Sequence, residues 1–518
     1  MINIPLENIY SSKFLLDFIS RTSTMSGFHP MPNTIGNFKK VIDQKKFPSA
    51  KRTVLTQVVS KQYLNTGLEL PKNLNLLNES NTFTVTTGHQ LCLFGGPQFF
   101  IHKIVSTISL AEKLKESYPK HNFIPTFWMA TEDHDFDEIS SVFLFDKEIK
   151  VNGANTQAVG RIKTEYFLSA IDELRDLFKN DSRGNQLISI FEKAFSMKYW
   201  SDCTRFWVDH LFREYGLIVI DADSKDFKNL FKETIALEVN KQFVQKCVMK
   251  SNKKITNAGY TPKINPRPLN LFYFNNGSRD RIVVENERYF IGEQNHSKKE
   301  ILQMIERNPE NFSPNVLLRP LYQECILPNL AYVGGPAEVE YWSQLKDAFE
   351  YAKIDYPFVV LRDSFAWIKK KDLEWWRTNH LADNDLFIDY NQLSKKIVLK
   401  NKNISFDVSN ELNSIRNKIA QIILENDSSL DKMLESELKK FENALVKIQS
   451  KLVKSSKNKD ELFFAKIKKI QNSIIKDGIL VERENSFVPL FCEMGEQYIK
   501  QLLNASEIFS SELKILSH

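Results

Sequence analysis

The chain of 518 residues is 42% apolar and 12% aromatic, enough to bury two or three cores and too apolar to read as disordered. Its 70 basic and 64 acidic residues leave a net charge of +6, small beside the total, so composition gives no ground for a nucleic-acid partner. No run reaches the ~18–20 apolar residues of a membrane span, and Met1–Pro5 shows no charged-then-apolar leader. The five scattered cysteines (Cys92, Cys203, Cys247, Cys325 and Cys492) form no C-x-x-C pair, which argues against a disulfide framework or a Cys-rich zinc site and for a reduced, soluble, cytoplasmic protein.

The first 80 residues read as helices and loops. Phe83–Thr86, β-branched and aromatic, predicts a strand. It runs into the glycine-punctuated loop Gly88-His89-Gln90-Leu91-Cys92-Leu93-Phe94-Gly95-Gly96, and Pro97 suits the first turn of a helix. Phe100, Ile104, Ile108 and Ala111 carry that helix to about Ser117, with His102 and Lys103 expected to be structural or solvent-facing. Phe123–Met129 predicts a second strand, ending in the acidic run Thr131–Glu138. A right-handed crossover puts the ends of neighbouring parallel strands on one sheet edge, where open α/β sheets bind ligands. The loops Gly88–Pro97 and Glu132–Asp137 are therefore expected to form one site.

Leu217–Ile220 predicts a third strand, followed by a helix near Phe227–Val248. A β-rich insertion follows, with a hairpin around Glu285–Glu287. The α/β pattern resumes with a strand at Leu330–Val333, Gly334-Gly335-Pro336, one helix through Tyr351 and a strand at Phe358–Leu361. Beyond about Asn410, Leu434, Leu438, Phe441, Leu445, Ile448 and Leu452 alternate spacings of four and three, the seam of a coiled coil. Phe463, Ile467, Ile470 and Ile474 resume it after the polar break Lys454–Asp460, predicting an antiparallel helical hairpin, and Leu412, Ile415, Ile419 and Ile422 suggest a third helix. The expected domains are a helical segment at 1–80, a core in two parts at 81–225 and 311–375, an inserted connecting segment at 226–310, and a helical coiled-coil domain at 376–518.

Four motifs occur in order: Thr-Gly-His-Gln-Leu-Cys-Leu-Phe-Gly-Gly-Pro at 87–97, Phe-Trp-Met-Ala-Thr-Glu-Asp-His-Asp at 127–135, Leu-Arg-Pro-Leu-Tyr-Gln at 318–323, and Ala-Tyr-Val-Gly-Gly-Pro-Ala-Glu-Val-Glu-Tyr-Trp at 331–342. With Glu482-Arg483 they resemble the bacillithiol cysteine-adding family, BshC, from about Thr84 to Glu484. His89 stands where that family more often has Gln, Cys92 where it has a small residue, and Val481 where Gln precedes Glu-Arg. The resemblance implies a Rossmann-like α/β core related to class I nucleotidyl-transferring synthetases, with inserted connecting segments and a C-terminal α-helical coiled coil that supports a homodimer. It implies a ligase that joins the carboxyl of cysteine to the amino group of glucosaminyl-malate. ATP or another activated cysteine donor would drive the step, and no metal is asserted.

Each motif has a chemistry of its own. A Gly-Gly-Pro turn lets backbone approach an anion, so Gly88, His89, Gln90, Gly95 and Gly96 are the expected anion cradle, each well-placed donor worth ~3 kcal/mol to an oxyanion. Asp133 and His134 are the expected polar catalytic cluster, with His89 as a third catalytic candidate and Glu132 and Asp135 beside them in binding. The same run, with Asp133, His134 and Asp135, also suits a divalent metal, or else is a solvated loop with Asp137 as helix cap. Arg319, Gly335 and Glu338 are the expected substrate clamp, Arg319 by bidentate contact with a carboxylate. The rival readings are a class I synthetase-like nucleotidyltransferase acting on another amine, a metal-dependent hydrolase, and a non-enzymatic coiled-coil adaptor.

Overall fold

The computed structural model describes residues 1–29, 34–145, 147–153, 157–179, 182–275, 277–401 and 407–518. Five strands form the central sheet: β1 (Thr82–His89), β2 (Asn122–Met129), β3 (Ile218–Asp221), β4 (Asn329–Gly334) and β5 (Phe358–Leu361). Their spatial order is β3-β2-β1-β4-β5 and every pairing is parallel. The chain leaves β1 toward β2 and β3, then returns to build β4 and β5 on the other side. The strand order thus reverses between β1 and β4, and a crevice opens there outside the carboxyl ends of the strands.

The strands read as near-continuous apolar runs because both faces are covered. Val85, Phe127, Val219 and Val333 are all fully buried. Helix α1 (Phe99–Ser117) follows β1 and is buried on nearly every side, including the polar His102, Lys103, Ser106 and Thr107. Ser106 and Thr107 satisfy their hydroxyls on the carbonyls of His102 and Lys103, each at 2.8 Å. Beneath the sheet, the carboxamide oxygen of Asn329 accepts from Thr84 (3.2 Å) and Thr86 (2.8 Å), where the β4–β1 register shifts.

The insertion is a five-stranded antiparallel sheet: Gln294–His296, Arg288–Ile291, Ser278–Glu285, Leu271–Asn275 and Phe312–Pro314, in that spatial order. Its hairpin closes with Glu285 opposite Arg288, and Asn286 (φ 47°) and Glu287 (φ 64°) take the left-handed pair of a two-residue turn. The expected helix over Phe227–Val248 is two helices, Lys225–Lys241 and Phe243–Asn257, because Gln242 is left-handed at φ 48°. The expected helix through Tyr351 is also two, α3 (Pro336–Trp342) and Lys346–Ala352.

The chain divides into two compact units, the first made of Asn3–Phe365 with Glu482–Ile515 and the second of Ala366–Val481 with Leu516–His518. Within the second, Tyr390–Asn401, Ser409–Asn426, Asp431–Lys459 and Glu461–Asn472 are helices. The polar stretch Lys454–Lys459 continues its helix, so the break falls only at Asp460. The seam is also less buried than a closed hairpin would make it. Phe441 is 51% exposed and Ile448 55%, while Ile415, Ile419 and Ile422 expose a stripe on the preceding helix.

Candidate functional site

A cavity of about 640 Å³ occupies the crevice at the strand-order reversal. Gly88 and His89 enter it from the end of β1, Ala130–His134 from the end of β2, and Gly335–Glu338 from the end of β4 and the start of α3. Arg279 and Phe272 reach in from the antiparallel sheet. Arg319 comes from α2 (Arg319–Ile326), and Arg362 from the turn after β5. Six basic side chains face four carboxyl groups, so the cavity favours an anionic ligand.

The cluster after β2 is tightly partnered. Asp133 accepts from the Gln90 amide and from the backbone N–H of His134 (2.7 Å), with the Arg279 guanidinium at 3.5 Å. Burial would raise the pKa of this carboxyl. The hydrogen bonds from His134 and Gln90 and the charge of Arg279 overcome it and hold Asp133 below the usual carboxylate range. The Nδ1 atom of His134 lies 3.1 Å from Nη1 of Arg279 and 3.4 Å from Asp133. Without a proton this nitrogen accepts from Arg279; with one it donates to Asp133 instead. Glu132 pairs with the fully buried Lys228, which also donates to the carbonyl of Phe312 at 2.5 Å.

The cluster after β4 is built on the Lys103–Glu338 ion pair. Glu338 accepts from the Lys103 ammonium, the Tyr332 hydroxyl and the backbone N–H of Gly335 (2.8 Å). Against its burial, the charge of Lys103 and these hydrogen bonds keep Glu338 below the ordinary glutamate range. Lys103 also donates to the carbonyl of Gly88 at 2.8 Å, tying the ends of β1 and β4 together. Behind them, Arg362 makes a bidentate pair with Glu482 (2.7 and 3.0 Å), and the buried, neutral His102 donates from Nδ1 to the same carboxylate at 2.7 Å.

Several expected residues lie elsewhere or act otherwise. Gly95 and Gly96 are not in the cavity lining. Gly95 (φ +80°) packs where a Cβ would stand 3.0 Å from Trp207 and Phe487, and Gly96 (φ +62°) packs against Cys92. They make the turn before α1, so the expected anion cradle reduces to Gly88, His89 and Gln90. Asp135, not Asp137, caps the short helix Phe136–Ile139, accepting from the backbone N–H of Glu138 at 3.2 Å, and it stays outside the lining. With Asp133 turned to Gln90 and Asp135 to its helix, the expected metal ligands do not converge. Among the described residues no group of three or more His, Cys, Asp or Glu is placed to hold a metal ion.

His89 is in the lining, with Nδ1 at 2.9 Å from the carbonyl of Gln90, but burial, with Lys103 nearby, pushes its imidazole down to about 3. Cys92 is buried outside the lining, and burial beside Glu138 raises its thiol. Lys103, expected to be structural or solvent-facing, is instead a cavity residue. Arg279, Arg362, Tyr332 and Tyr341 also went unassigned in the sequence.

A Rossmann-type α/β core with a cationic cavity at its switch point is thus joined to a helical second unit. Residues 1–363 match the family described as "Bacillithiol biosynthesis BshC, N-terminal Rossmann-like domain", and residues 365–518 match its C-terminal coiled-coil domain. The chain belongs to the bacillithiol biosynthesis BshC family. Proteins named "Putative cysteine ligase BshC" resemble it along their length. The one from Christiangramia forsetii is 35% identical over 99% of this chain and 98% of its own. Those of Flavobacterium psychrophilum and Flavobacterium johnsoniae are 34% and 33% identical, each over 98% of both chains. A solved tryptophanyl-tRNA synthetase of Plasmodium falciparum aligns over 86% of this chain and 96% of its own at 12% identity and a TM-score of 0.22, too slight a likeness to carry a fold or a function.

Proposed function

We propose that this cavity forms an amide between the carboxyl of cysteine and the amino group of glucosaminyl-malate, the bond that completes bacillithiol. The observation that carries the reading is the excess of cations over carboxyl groups at the β1/β4 switch point, beside a Gln90–Asp133–His134 cluster. Substrates bearing carboxylates and one nucleophilic amine fit those two halves. The amine nitrogen attacks the carboxyl carbon, the C–N bond forms, and the activating group leaves with the carboxyl oxygen.

In this reading Arg319, Gly335 and Glu338 position the substrate, and Gly88 and Gln90 line the cavity beside the reacting carboxyl, while Glu132 is held by Lys228 at the edge. His134 takes the amine proton, and Asp133 beside it stabilises the imidazolium. His89, held neutral, orients rather than transfers. The exposed stripes of Ile415, Ile419 and Ile422 and of Phe441 and Ile448 support a homodimer through the coiled coil. Five cysteines kept as thiols support a reducing compartment, the cytoplasm. No described helix is long and apolar enough to cross a membrane.

The test incubates the purified chain with cysteine, glucosaminyl-malate and ATP and follows bacillithiol by mass spectrometry. Product is expected with ATP. Product without it overturns activation by ATP, and no product with any activated cysteine donor overturns the ligase reading.

A further inference from the structure

The buried cations around the cavity each face a carboxylate. Lys103 pairs with Glu338, Arg279 with Asp133 and Arg362 with Glu482. Arg319 is different. Its Nη1 donates 3.0 Å to the side-chain oxygen of Gln323 and its guanidinium also meets the Tyr341 hydroxyl, both neutral acceptors; Glu338 acts on it through space, but among the described residues no carboxylate lies at ion-pairing distance. Its guanidinium is framed by the rings of Tyr332 (5.5 Å) and Trp128 (5.9 Å), both also in the cavity lining.

Gln323 itself is fully buried and its orientation is fixed from behind. Its Nε2 donates to Glu324 at 2.9 Å, and Glu324 accepts again from Asn329 at 2.7 Å. With the amide nitrogen committed to Glu324, the oxygen must face Arg319. The carboxylate of this short chain is thereby kept one residue away from the guanidinium. An amide at position 323 holds the plane of Arg319 without neutralising its charge, whereas a glutamate there would supply the counter-ion from within the protein.

We propose that Arg319 seats a substrate carboxylate and that Gln323 is the positioning residue that keeps its charge free for it. The inference rests on the ligase reading for its substrate, but its physical content is carboxylate binding, which can be measured without turnover. The carboxylate could be that of the malyl group or of cysteine, so the two are separate arms of the test.

The experiment titrates the full chain by calorimetry with malate, with cysteine, and with dimethyl malate as the uncharged control. The main variant is the double substitution Gln323→Glu, Glu324→Gln, which moves the carboxylate toward Arg319 while keeping one amide–carboxylate pair. Malate or cysteine is expected to bind the unaltered chain and to bind the double variant at least about tenfold more weakly, with dimethyl malate binding neither. In turnover, KM for the same substrate rises while kcat is held, a split that a merely structural defect would not give. Arg319→Gln is read alongside, and should lose the same binding if the double variant does not fold.

Equal binding by the unaltered and altered chains overturns the inference, as does no binding of either carboxylate at about 10 mM. Amide formation with a KM insensitive to position 323 overturns it too, while leaving the ligase reading intact. Binding that depends on Gln323 in a chain with no ligase activity does the reverse.

Discussion

Glu482→Gln is the substitution whose cost the structure fixes best. This carboxylate is buried, 2% exposed, and accepts from both Nη atoms of Arg362, from Nδ1 of His102 and from the backbone N–H of Phe365 at 3.2 Å. Burial would raise its pKa, but the charge of Arg362 and the hydrogen bonds bring it down to about 2 from 4.5. That difference corresponds to about 3 kcal/mol of folding free energy at neutral pH. A glutamine keeps the volume but turns an N–H toward Arg362 and leaves its charge buried without a counter-ion, a loss of about 3–5 kcal/mol for pairs of this kind. Folding depresses this carboxyl, so below pH 4.5 the unfolded chain binds more protons than the folded one. The stabilisation is therefore full above about pH 4.5 and fades as pH falls toward 2. Urea unfolding of the two proteins at pH 7 should differ by about 3 kcal/mol, and by less than half of that at pH 3. A difference under about 1 kcal/mol at pH 7, or one unchanged at pH 3, refutes the account of this carboxylate as an ionised anchor.

Lys103→Met strands the Glu338 carboxylate in the cavity and should lower stability by about 3 kcal/mol and kcat/KM by about a hundredfold or more. Adding Glu338→Gln should restore the melting temperature but not the rate, as read by thermal denaturation and product mass spectrometry. Cys92→Ala is expected to leave the rate within about twofold, and iodoacetamide at pH 8 should leave Cys92 unlabelled in peptide maps, because its thiol is buried and neutral. Ile422→Asp with Phe441→Asp should convert a dimer to a monomer in light scattering, and a monomeric unaltered chain would remove the proposed coiled-coil contact.

Much of the sheet was legible because its signals are local. Glycine and proline mark the ends of β1 and β4, and the β-branched runs between them leave little alternative to strands. The handedness of crossovers put the ends of β1 and β2 on one edge provided the two are neighbours, and the structure pairs them from Thr82 opposite Asn122 to His89 opposite Met129. What stayed hidden was set by packing. Gly-Gly-Pro reads the same whether it faces a ligand or packs inward, as Gly95 does against Trp207 and Phe487 and Gly96 against Cys92. Gln242 breaks a helix with a left-handed residue that no propensity marks. Lys103 carried a usable sign, a lysine in the first turns of a helix that has no other Lys, Arg, Asp or Glu before Glu112. Arg362 directly follows the end of β5, where parallel sheets place functional side chains. Arg279 gave no local sign, since it sits in an ordinary hairpin strand and meets Asp133 across 146 positions of chain.

These pairings also set three of the cavity's ionisable groups aside as sources of the pH dependence of the reaction. Asp133 and Glu338 are held below the ordinary carboxylate range, and His89 titrates at about 3, so none of the three changes charge between pH 5.5 and 8. For His89 the sign is that of a buried neutral ring: it favours the folded state above about 6.5 and loses that contribution as pH falls toward 3. Its imidazole resonances should accordingly stay fixed from pH 5.5 to 8 in NMR spectra. The acceptor amine, by contrast, belongs to a class that titrates near 7.7–8.0 and reacts only when neutral. kcat/KM should then rise about tenfold per pH unit below roughly 7.5 and level off above it. An acceptor with a less basic amine should carry the whole rising limb to lower pH by the difference between the two amines. A limb that stays in place when the amine is changed would assign it to the protein, and His89 resonances that move through the same range would make that imidazole the titrating group.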